Sequence, residues 1–302
     1  MDTRLTQFET HRARLIGLAY RMLGEAFEAE DVVQDAYLRW RDSGEVADPA
    51  PWLTKVVTNL CLSRLTSARA RRETYVGPWL PEPMVVAAAD GRDDPADTAA
   101  RRDSLSLGLL VLLERLTPPE RAAFVLREAF AYSHREIARI LGIEEAHARQ
   151  LFTRARAHVG ARQRFTATSG QRRAIVERFL AATLDGDVIA LERLLADDAV
   201  AWADGGGRVR ATLRPAVGRV GVARLLASFG RSARARAASF TVTTVNDAPA
   251  IVVREAGLVS GVFAPELGGD GRVVALWSVL NPDKLGFARA QLASERSVSA
   301  VL

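Results

Sequence analysis

Residues 133–156 read SHREIARILGIEEAHARQLFTRAR, and this stretch decides one part of the fold. Ser133 followed three residues later by Glu136 is a capping box, the pattern that begins an α-helix, and Thr117 with Glu120 forms another upstream. Apolar side chains then recur at helical spacing, first before Gly142 and again after it. Gly142 is suited to the tight turn between the two segments, and the second helix is expected from about Glu144. The stretch therefore predicts a helix-turn-helix.

The second helix of this motif has a polar face that suits a DNA groove. Its apolar residues, Ala148, Leu151, Phe152 and Ala155, are expected to face the core. The opposite side then carries His147, Gln150 and Arg154, with Arg149 and Thr153 beside them and Arg156 in the next turn. In the major groove arginine hydrogen-bonds guanine and glutamine hydrogen-bonds adenine, while further arginines bind phosphates. The motif thus favours DNA binding, although a three-helix protein-binding module with a basic rim shows the same pattern.

Upstream of this motif, residues 5–72 read as three helices, expected over 6–23, 28–43 and 52–72. The second helix has an apolar stripe and, opposite it, Glu30, Asp31, Gln34 and Asp35. Residues 48–51, Asp-Pro-Ala-Pro, are expected to form a non-helical turn. The third helix leaves Lys55, Asn59, Ser63 and Arg64 available to solvent or nucleic acid. A solvated basic helix would look the same.

The remaining segments differ in composition from these helical modules. Residues 74–103 are rich in Pro, Gly and Asp, which indicates a linker, yet residues 75–83 carry too many aromatic side chains for a passive spacer. Residues 170–287 predict two helices followed by a mostly antiparallel sheet, an α+β domain. The expected strands are 200–203, 209–213, 240–245, 251–253, 258–263 and 273–280.

Composition narrows the class of protein. The chain has 302 residues and a net charge of +5, and its arginines cluster in 64–72 and 149–164, which favours a phosphate backbone as partner. The single cysteine, Cys61, cannot form an internal disulfide and is expected as a buried core thiol. No apolar run approaches the roughly 20 residues of a membrane span. These features predict a cytoplasmic protein without membrane, metal or cofactor.

Three stretches resemble a known family. Residues 29–40, AEDVVQDAYLRW, look like the core-polymerase-binding helix of sigma region 2, and residues 51–64, PWLTKVVTNLCLSR, resemble the next helix of that region. Residues 116–156 are similar to sigma region 4. The order of these pieces, separated by a linker, resembles the extracytoplasmic-function (ECF) sigma factors of bacteria.

The rest of the chain extends this resemblance. Some family members carry a SnoaL-like (NTF2-like) domain after region 4, together with WLPEP, DGGGK and NPDKL motifs. Here residues 79–83 read WLPEP, residues 204–208 read DGGGR and residues 281–285 read NPDKL. Arg208 replaces the lysine of the second motif and keeps its charge.

The resemblance implies a domain plan. Region 2 would occupy 1–74, the linker 75–103, region 4 104–166, the SnoaL-like domain 170–287 and a tail 288–302. The fold class is therefore multidomain, with two all-α modules followed by an α+β cone. The function implied is promoter-specific transcription initiation, regulated in cis by the fused domain.

The resemblance also assigns partners and residues. Core RNA polymerase, through its β′ clamp helices and β subunit, would bind Asp31, Gln34, Asp35 and Arg39. The −10 promoter element would contact Lys55, Asn59, Ser63 and Arg64. The −35 element would contact His147, Arg149, Gln150, Thr153, Arg154 and Arg156. Contacts between domains would involve Trp79, Leu80, Pro81, Glu82, Pro83, Asp204, Gly205, Gly206, Gly207, Arg208, Asn281, Pro282, Asp283, Lys284 and Leu285.

Two other classes of function remain open at this point. A ligand-responsive helix-turn-helix regulator that acts without polymerase would need neither the 29–40 helix nor the 51–64 helix. SnoaL relatives also include polyketide cyclases, but all four histidines lie before residue 170, and Asp204 is the only carboxylate that the motifs suggest for catalysis. We therefore expect no enzyme, and an unidentified small molecule in the C-terminal domain is a further candidate partner.

Overall fold

The computed structural model describes residues 3–44, 46–85, 106–160 and 167–299, without the side chains of 3, 68–73 and 294–299. The rest of the predicted linker, the end of the predicted region 4 with Arg162 and Arg164, and residues 300–302 lie outside the described part. Described residues 3–74 and 109–160 form one compact unit, here called the helical unit. Residues 75–85, 106–108 and 167–299 belong to a second, here called the C-terminal unit.

The helical unit is built from helices whose apolar stripes follow the predicted spacing. Leu18 and Met22 of the first helix, Val33 of the second and Leu53 and Val57 of the third are all buried. The helices are α1 Thr3–Leu23, α2 Ala26–Arg41, α3 Pro49–Glu73, α4 Leu107–Leu113 (in this unit from Leu109 onward), α5 Pro118–Glu128, α6 His134–Leu141 and α7 Glu145–Val159.

The prediction of a non-helical turn over residues 48–51 was wrong. Helix α3 begins at Pro49, so both Pro49 and Pro51 lie in its first turn. The backbone N–H groups of a first turn have no partner within the helix, so a proline there removes no hydrogen bond. The prolines therefore mark the start of α3.

Capping residues begin the helices of the second module as predicted. Thr117 and Glu120 form a capping box at α5, and Ser133 and Glu136 form another at α6. Although burial opposes it, the hydrogen bonds from Thr117 hold the pKa of Glu120 below its ordinary value. These side chains fix where the two helices start.

The two helical modules pack directly on each other within the helical unit. The hydroxyls of Thr54 in α3 and Tyr132, just before α6, lie 3.0 Å apart. Arg121 of α5 is buried, donates from Nε to the Arg21 carbonyl at 3.1 Å, and forms an ion pair with Glu114. A buried guanidinium needs such partners, so this contact fixes one arrangement of the modules.

The C-terminal unit packs helices against one six-stranded sheet. Its helices are α8 Ser169–Asp185, α9 Val188–Leu194, α10 Arg219–Gly230, α11 Ala233–Ala237 and α12 Gly286–Ser299. Its strands are β1 Leu195–Asp204, β2 Ala216–Val217, β3 Ser239–Val245, β4 Ala248–Glu255, β5 Leu258–Leu267 and β6 Val273–Val279. The strand order is β2-β1-β6-β5-β4-β3, in which β1 and β6 are parallel and the other neighbours are antiparallel. The predicted α+β class is confirmed.

Several details of this unit depart from the sequence prediction. Residues 209–213 form no strand, because a turn at Gly205, whose carbonyl accepts from the Val209 amide at 3.2 Å, diverts them into a loop. Helices α10 and α11 occupy a segment for which no helix or strand was predicted. Residues 286–299, treated mostly as a tail, form α12.

Candidate functional sites

The helix-turn-helix consists of α6 and α7. Gly142 adopts the left-handed conformation at φ +68°, and the Ile143 amide donates to the Ala138 carbonyl at 3.0 Å, which closes the turn. Helix α7 buries Ala148, Leu151 and Ala155. All six residues predicted to read the −35 element are exposed: His147, Arg149, Gln150, Thr153, Arg154 and Arg156. The structure thus brings them together on the outer side of one helix.

Two internal contacts lie on this side of α7, and in the first the Thr153 hydroxyl donates to the Arg149 carbonyl at 2.9 Å. Arg149 pairs with Glu145 at 3.1 Å, and both side chains are largely exposed. Exposed pairs of this kind contribute at most about 1 kcal/mol, so Arg149 can exchange the carboxylate for a nucleic-acid partner. Phe152, expected in the core, is only half-buried and stacks on Phe124 with ring centroids 6.3 Å apart.

The third helix presents a polar line to solvent. Lys55, Asn59 and Ser63 are all exposed on α3 and are spaced four residues apart, which places them along one face. The Ser63 hydroxyl donates to the Asn59 carbonyl at 3.1 Å, so it stays close to the helix. The amide of Asn59 and the ammonium of Lys55 extend from this line toward solvent.

The side chain of Arg64 is less exposed than the sequence predicted. It was expected to be available to solvent, but its side chain is only 28% exposed and points at α2. One guanidinium nitrogen lies 2.5 Å from Glu28 and the other 2.9 Å from Asp35. An arginine on the side of α3 next to α2 satisfies its charge with those carboxylates first. The prediction that Arg64 is available to nucleic acid was wrong, because the spacing of residues shows which face of a helix a side chain lies on but not which element packs against that face.

The acidic face of α2 is therefore shared between solvent and Arg64. Asp31, Gln34 and Arg39 are exposed, whereas Asp35 is half-buried and holds Arg64. Asp31 lies 4.0 Å from Arg64, at the outer limit of an ion pair. The predicted polymerase-binding residues thus form one face, part of which is fixed by α3.

In the C-terminal unit, the three short motifs meet in one cluster, here called the linker clasp: Tyr75, Trp79, Leu80, Asp204, Asn281 and Lys284. Asp204 is fully buried at the end of β1. Its carboxylate accepts from the Tyr75 hydroxyl at 2.6 Å, the Leu80 amide at 2.8 Å and the Lys284 ammonium at 2.7 Å. The linker is thereby bonded to the C-terminal unit through a buried charge.

Lys284 closes the clasp from the other side. Its ammonium donates to the Leu80 carbonyl at 2.6 Å and lies 4.1 Å from the Trp79 ring centroid and 4.6 Å from that of Tyr75. Cation–π contacts of this kind strengthen when they are desolvated. Burial and the nearby Asp204 carboxylate raise the pKa of the Tyr75 hydroxyl above its ordinary value, so Tyr75 remains a hydrogen-bond donor.

Glycine and asparagine complete the clasp. Gly206 has φ +56°, and a Cβ atom there would lie 2.2 Å from Asn281 Nδ2. Asn281 Nδ2 donates to the Tyr75 hydroxyl at 2.8 Å. Arg208, by contrast, forms an exposed pair with Asp283 at 3.1 Å, outside this buried cluster. Arginine therefore replaces lysine here at a position that solvent already screens.

The remaining residues of the three motifs surround the clasp. Pro81, Glu82, Pro83, Gly205 and Leu285 are buried, Pro282 is half-buried, and Gly207 is exposed, where a Cβ atom would lie 3.4 Å from the side chain of Val76. Sequence reasoning missed two partners of the linker: the Met84 amide donates to Asn246 and the Val85 amide to Gln291. Gln291 lies in the segment taken for a tail, where no motif marked it.

The remaining features concern metal binding, membrane insertion and the single cysteine. No group of three or more His, Cys, Asp or Glu side chains is arranged to hold a metal ion in the described part of the chain. Within the same part, none of the helices is long and apolar enough to cross a bilayer. Cys61 is buried in the helical unit, as predicted, and burial raises the pKa of its thiol to about 12.

Comparisons with known proteins now bear on these sites. Residues 7–71 match the family Sigma-70 region 2, and residues 106–159 match Sigma-70, region 4. The ECF RNA polymerase sigma factor SigJ of Mycobacterium tuberculosis is 39% identical, over 93% of this chain and 92% of its own length. The chain belongs to the ECF RNA polymerase sigma factors. It is thus a factor for transcription initiation, and its C-terminal unit follows the two sigma regions.

Two further comparisons cover almost the whole ECF sigma factor. A probable ECF RNA polymerase sigma factor, SigI of Mycobacterium tuberculosis, is 32% identical over 94% of this chain and 96% of its own length. The crystal structure of Mycobacterium tuberculosis SigJ superposes with a TM-score of 0.75 at 35% identity, covering 93% of this chain and 98% of that one. The likeness therefore includes the C-terminal unit and is not confined to the two sigma regions.

Proposed function

We propose that this ECF sigma factor is restrained by its own C-terminal unit through the linker clasp. The observation that carries the proposal is the buried Lys284–Asp204 pair, which is bonded to both the amide and the carbonyl of Leu80. The segment that directly follows region 2 is thus held on the C-terminal unit. A connector held in this way limits how far region 4 can separate from region 2.

The energetics of the clasp suit a reversible restraint. Removing one partner of a buried ion pair costs about 3–5 kcal/mol, because it leaves the other charge buried without compensation. The clasp also acts within one chain, at a high effective concentration, so a modest interface is sufficient. The proposal therefore predicts two states separated by a few kcal/mol, about the gap that a signal can shift.

The exposed surfaces of the helical unit support the remaining roles. We assign binding of core RNA polymerase, through its β′ clamp helices and β subunit, to Asp31, Gln34, Asp35 and Arg39. Recognition of the −10 element falls to Lys55, Asn59 and Ser63, while Arg64 positions α2 against α3. Reading of the −35 element falls to the six exposed residues of α7. Core polymerase and promoter DNA are thus the proposed partners, and the cytoplasm is the proposed place of action.

The geometry of Asp204 speaks against an enzymatic role for the C-terminal unit. Its two carboxylate oxygens already accept three hydrogen bonds, from Tyr75, Leu80 and Lys284. A general base must have its carboxylate free to take a proton from a substrate. We therefore propose a regulatory role for the domain and no catalysis.

Run-off transcription with core RNA polymerase tests the proposal. The template is the upstream region of the protein's own coding sequence, and the wild type is compared with Lys284→Met and Arg208→Ala. Lys284→Met removes the buried charge and is expected to raise transcription severalfold. Arg208→Ala removes only an exposed pair and serves as the matched control, expected to behave like the wild type.

Two outcomes contradict the proposal in different ways. If Lys284→Met and Arg208→Ala transcribe equally, the restraint by the clasp is wrong. If no version supports initiation or binds core polymerase, while the chain still binds duplex DNA, the protein acts as a helix-turn-helix regulator without polymerase.

A further inference from the structure

The C-terminal unit encloses a cavity that none of the surfaces above uses. Its volume is about 310 Å³, and it lies between α10 and the sheet. Much of its lining is apolar or aromatic, including Trp202, Leu226, Phe229, Phe263 and Leu276. Its volume is at the lower end of the range of roughly 300–1,000 Å³ for small-molecule sites.

Two polar atoms in this lining have no hydrogen-bond partner. The hydroxyls of Thr212, in the loop before β2, and Ser260, in β5, are buried and unpaired among the described residues. A buried hydroxyl without a partner destabilises the fold, so native proteins keep few of them without a reason. Both can donate a hydrogen bond to an oxygen atom of a bound molecule.

The charged residues of the lining indicate which ligands are disfavoured. Arg234 and Glu255 form an ion pair at 2.5 Å, so this carboxylate is already neutralised. Arg210 also lines the cavity, and its side chain is exposed. No carboxylate in the lining is left to attract a cation, while aromatic rings favour a ring-shaped ligand.

We propose that this cavity binds a ring-shaped, mainly apolar small molecule with two oxygen functions, which accept hydrogen bonds from Thr212 and Ser260, and that binding tightens the linker clasp. The proposal of a binding site depends only on the cavity and its lining residues. The effect on the clasp rests on the proposed function above.

The cavity and the clasp share the same chain segments. Ala203 lines the cavity and the next residue, Asp204, holds the clasp. Leu280 lines the cavity as well, and Asn281 follows it. The amides of Leu280 and Asn281 both donate to the Asp204 carbonyl, at 2.8 and 2.9 Å. A ligand that orders the cavity wall therefore also orders the clasp residues. The clasp then loses less conformational entropy when it closes.

Binding of 7-hydroxycoumarin, used in its neutral form, tests the site in the full chain. This probe is a flat ring system with a carbonyl and a hydroxyl at opposite ends, and its fluorescence reports binding. We expect saturable binding at one site, weakened roughly two- to tenfold by Thr212→Val and by Ser260→Val, the cost of one hydrogen bond. Thr244→Val, the same change at an exposed position of β3, is the control and leaves binding unchanged.

Thermal melting of the unliganded variants separates a ligand-binding role from a structural one. Because both hydroxyls lack a partner, the valine variants are expected to melt at or above the wild-type temperature. Absence of saturable binding, unchanged affinity in both valine variants, or a lowered melting temperature in both would overturn the site.

Hydrogen exchange of residues 75–85 tests the effect on the clasp. The probe is expected to slow exchange of the Leu80 amide, which donates to Asp204. Binding that leaves this exchange unchanged or faster overturns the coupling. Neither measurement involves polymerase or DNA, so their failure is distinguishable from failure of the proposed function.

Discussion

At the scale of single residues, two motifs of the C-terminal unit form one buried ion pair and one exposed ion pair with each other. Lys284 and Asp204 are 8% and 0% exposed, whereas Arg208 and Asp283 are 66% and 62% exposed. The two pairs lie in the same two motifs. Burial decides their energetic weight, since water screens the exposed pair and not the buried one.

A stability measurement tests this difference. Lys284→Met is expected to lower the free energy of unfolding of the C-terminal unit by about 3–5 kcal/mol, because Asp204 remains buried without its cation. Arg208→Ala is expected to lower it by less than about 1 kcal/mol. Urea unfolding followed by tryptophan fluorescence gives both values, and equal losses in the two variants would show that the Lys284 pair is not the main contact.

At the scale of elements, the turn after β1 depends on a glycine that no side chain can replace. Gly206 and Gly257 both have positive φ angles, of +56° and +81°, so alanine strains the backbone at either position. Only at Gly206 would the added Cβ collide, with Asn281 and with the Tyr75 hydroxyl. The space around Gly257 is open within 4 Å.

These two glycines give a matched pair of variants. Gly206→Ala is expected to open the clasp and to speed hydrogen exchange of the Leu80 amide, which is bonded to Asp204. Gly257→Ala carries the same kind of backbone strain and is expected to leave that exchange as in the wild type. Equal exchange in both variants would mean that the collision does not reach the clasp.

Helix α7, the proposed recognition helix, gives a prediction for DNA binding. Arg154→Ala is expected to weaken binding of the holoenzyme to promoter DNA by about 1–3 kcal/mol and to relax preference at one base pair. Arg139→Ala, an exposed arginine of α6, is the control and should change affinity little. Fluorescence anisotropy with matched and single-substituted duplexes measures both effects, and uniform loss over all duplexes would reassign Arg154 to a phosphate contact.

The elements also show which features the sequence could predict. Capping boxes at Thr117 and Ser133 and the apolar stripes of α1–α3 depend on neighbours within a few residues, so they were predicted. The pairing of Arg64 with α2 and the bond from Val85 to Gln291 depend on residues far along the chain, which periodicity does not reveal. The motif residues of the clasp were predicted only through the family resemblance. Tyr75 was predicted only as one of the aromatic residues of the linker, without a partner.

At the scale of the whole molecule, the contact between region 2 and region 4 in the helical unit does not fit the separation of the two proposed DNA elements. The −10 and −35 elements are separated by about 25 base pairs, roughly two and a half turns or 85 Å of duplex. In this structure region 2 and region 4 are in direct contact through Thr54, Tyr132, Arg21 and Arg121. The helical unit must therefore open before both elements are bound, and the clasp holds the connector that permits opening.

The distance between region 2 and region 4 in the free protein tests this central claim most directly. Spin labels on cysteines introduced at Glu9 of α1 and Arg139 of α6, both exposed, report that distance, and buried Cys61 stays unlabelled. The account predicts one short, narrow distance in the wild type and in Arg208→Ala, and an added population at longer distances in Lys284→Met. The same narrow distribution in all three proteins would contradict it.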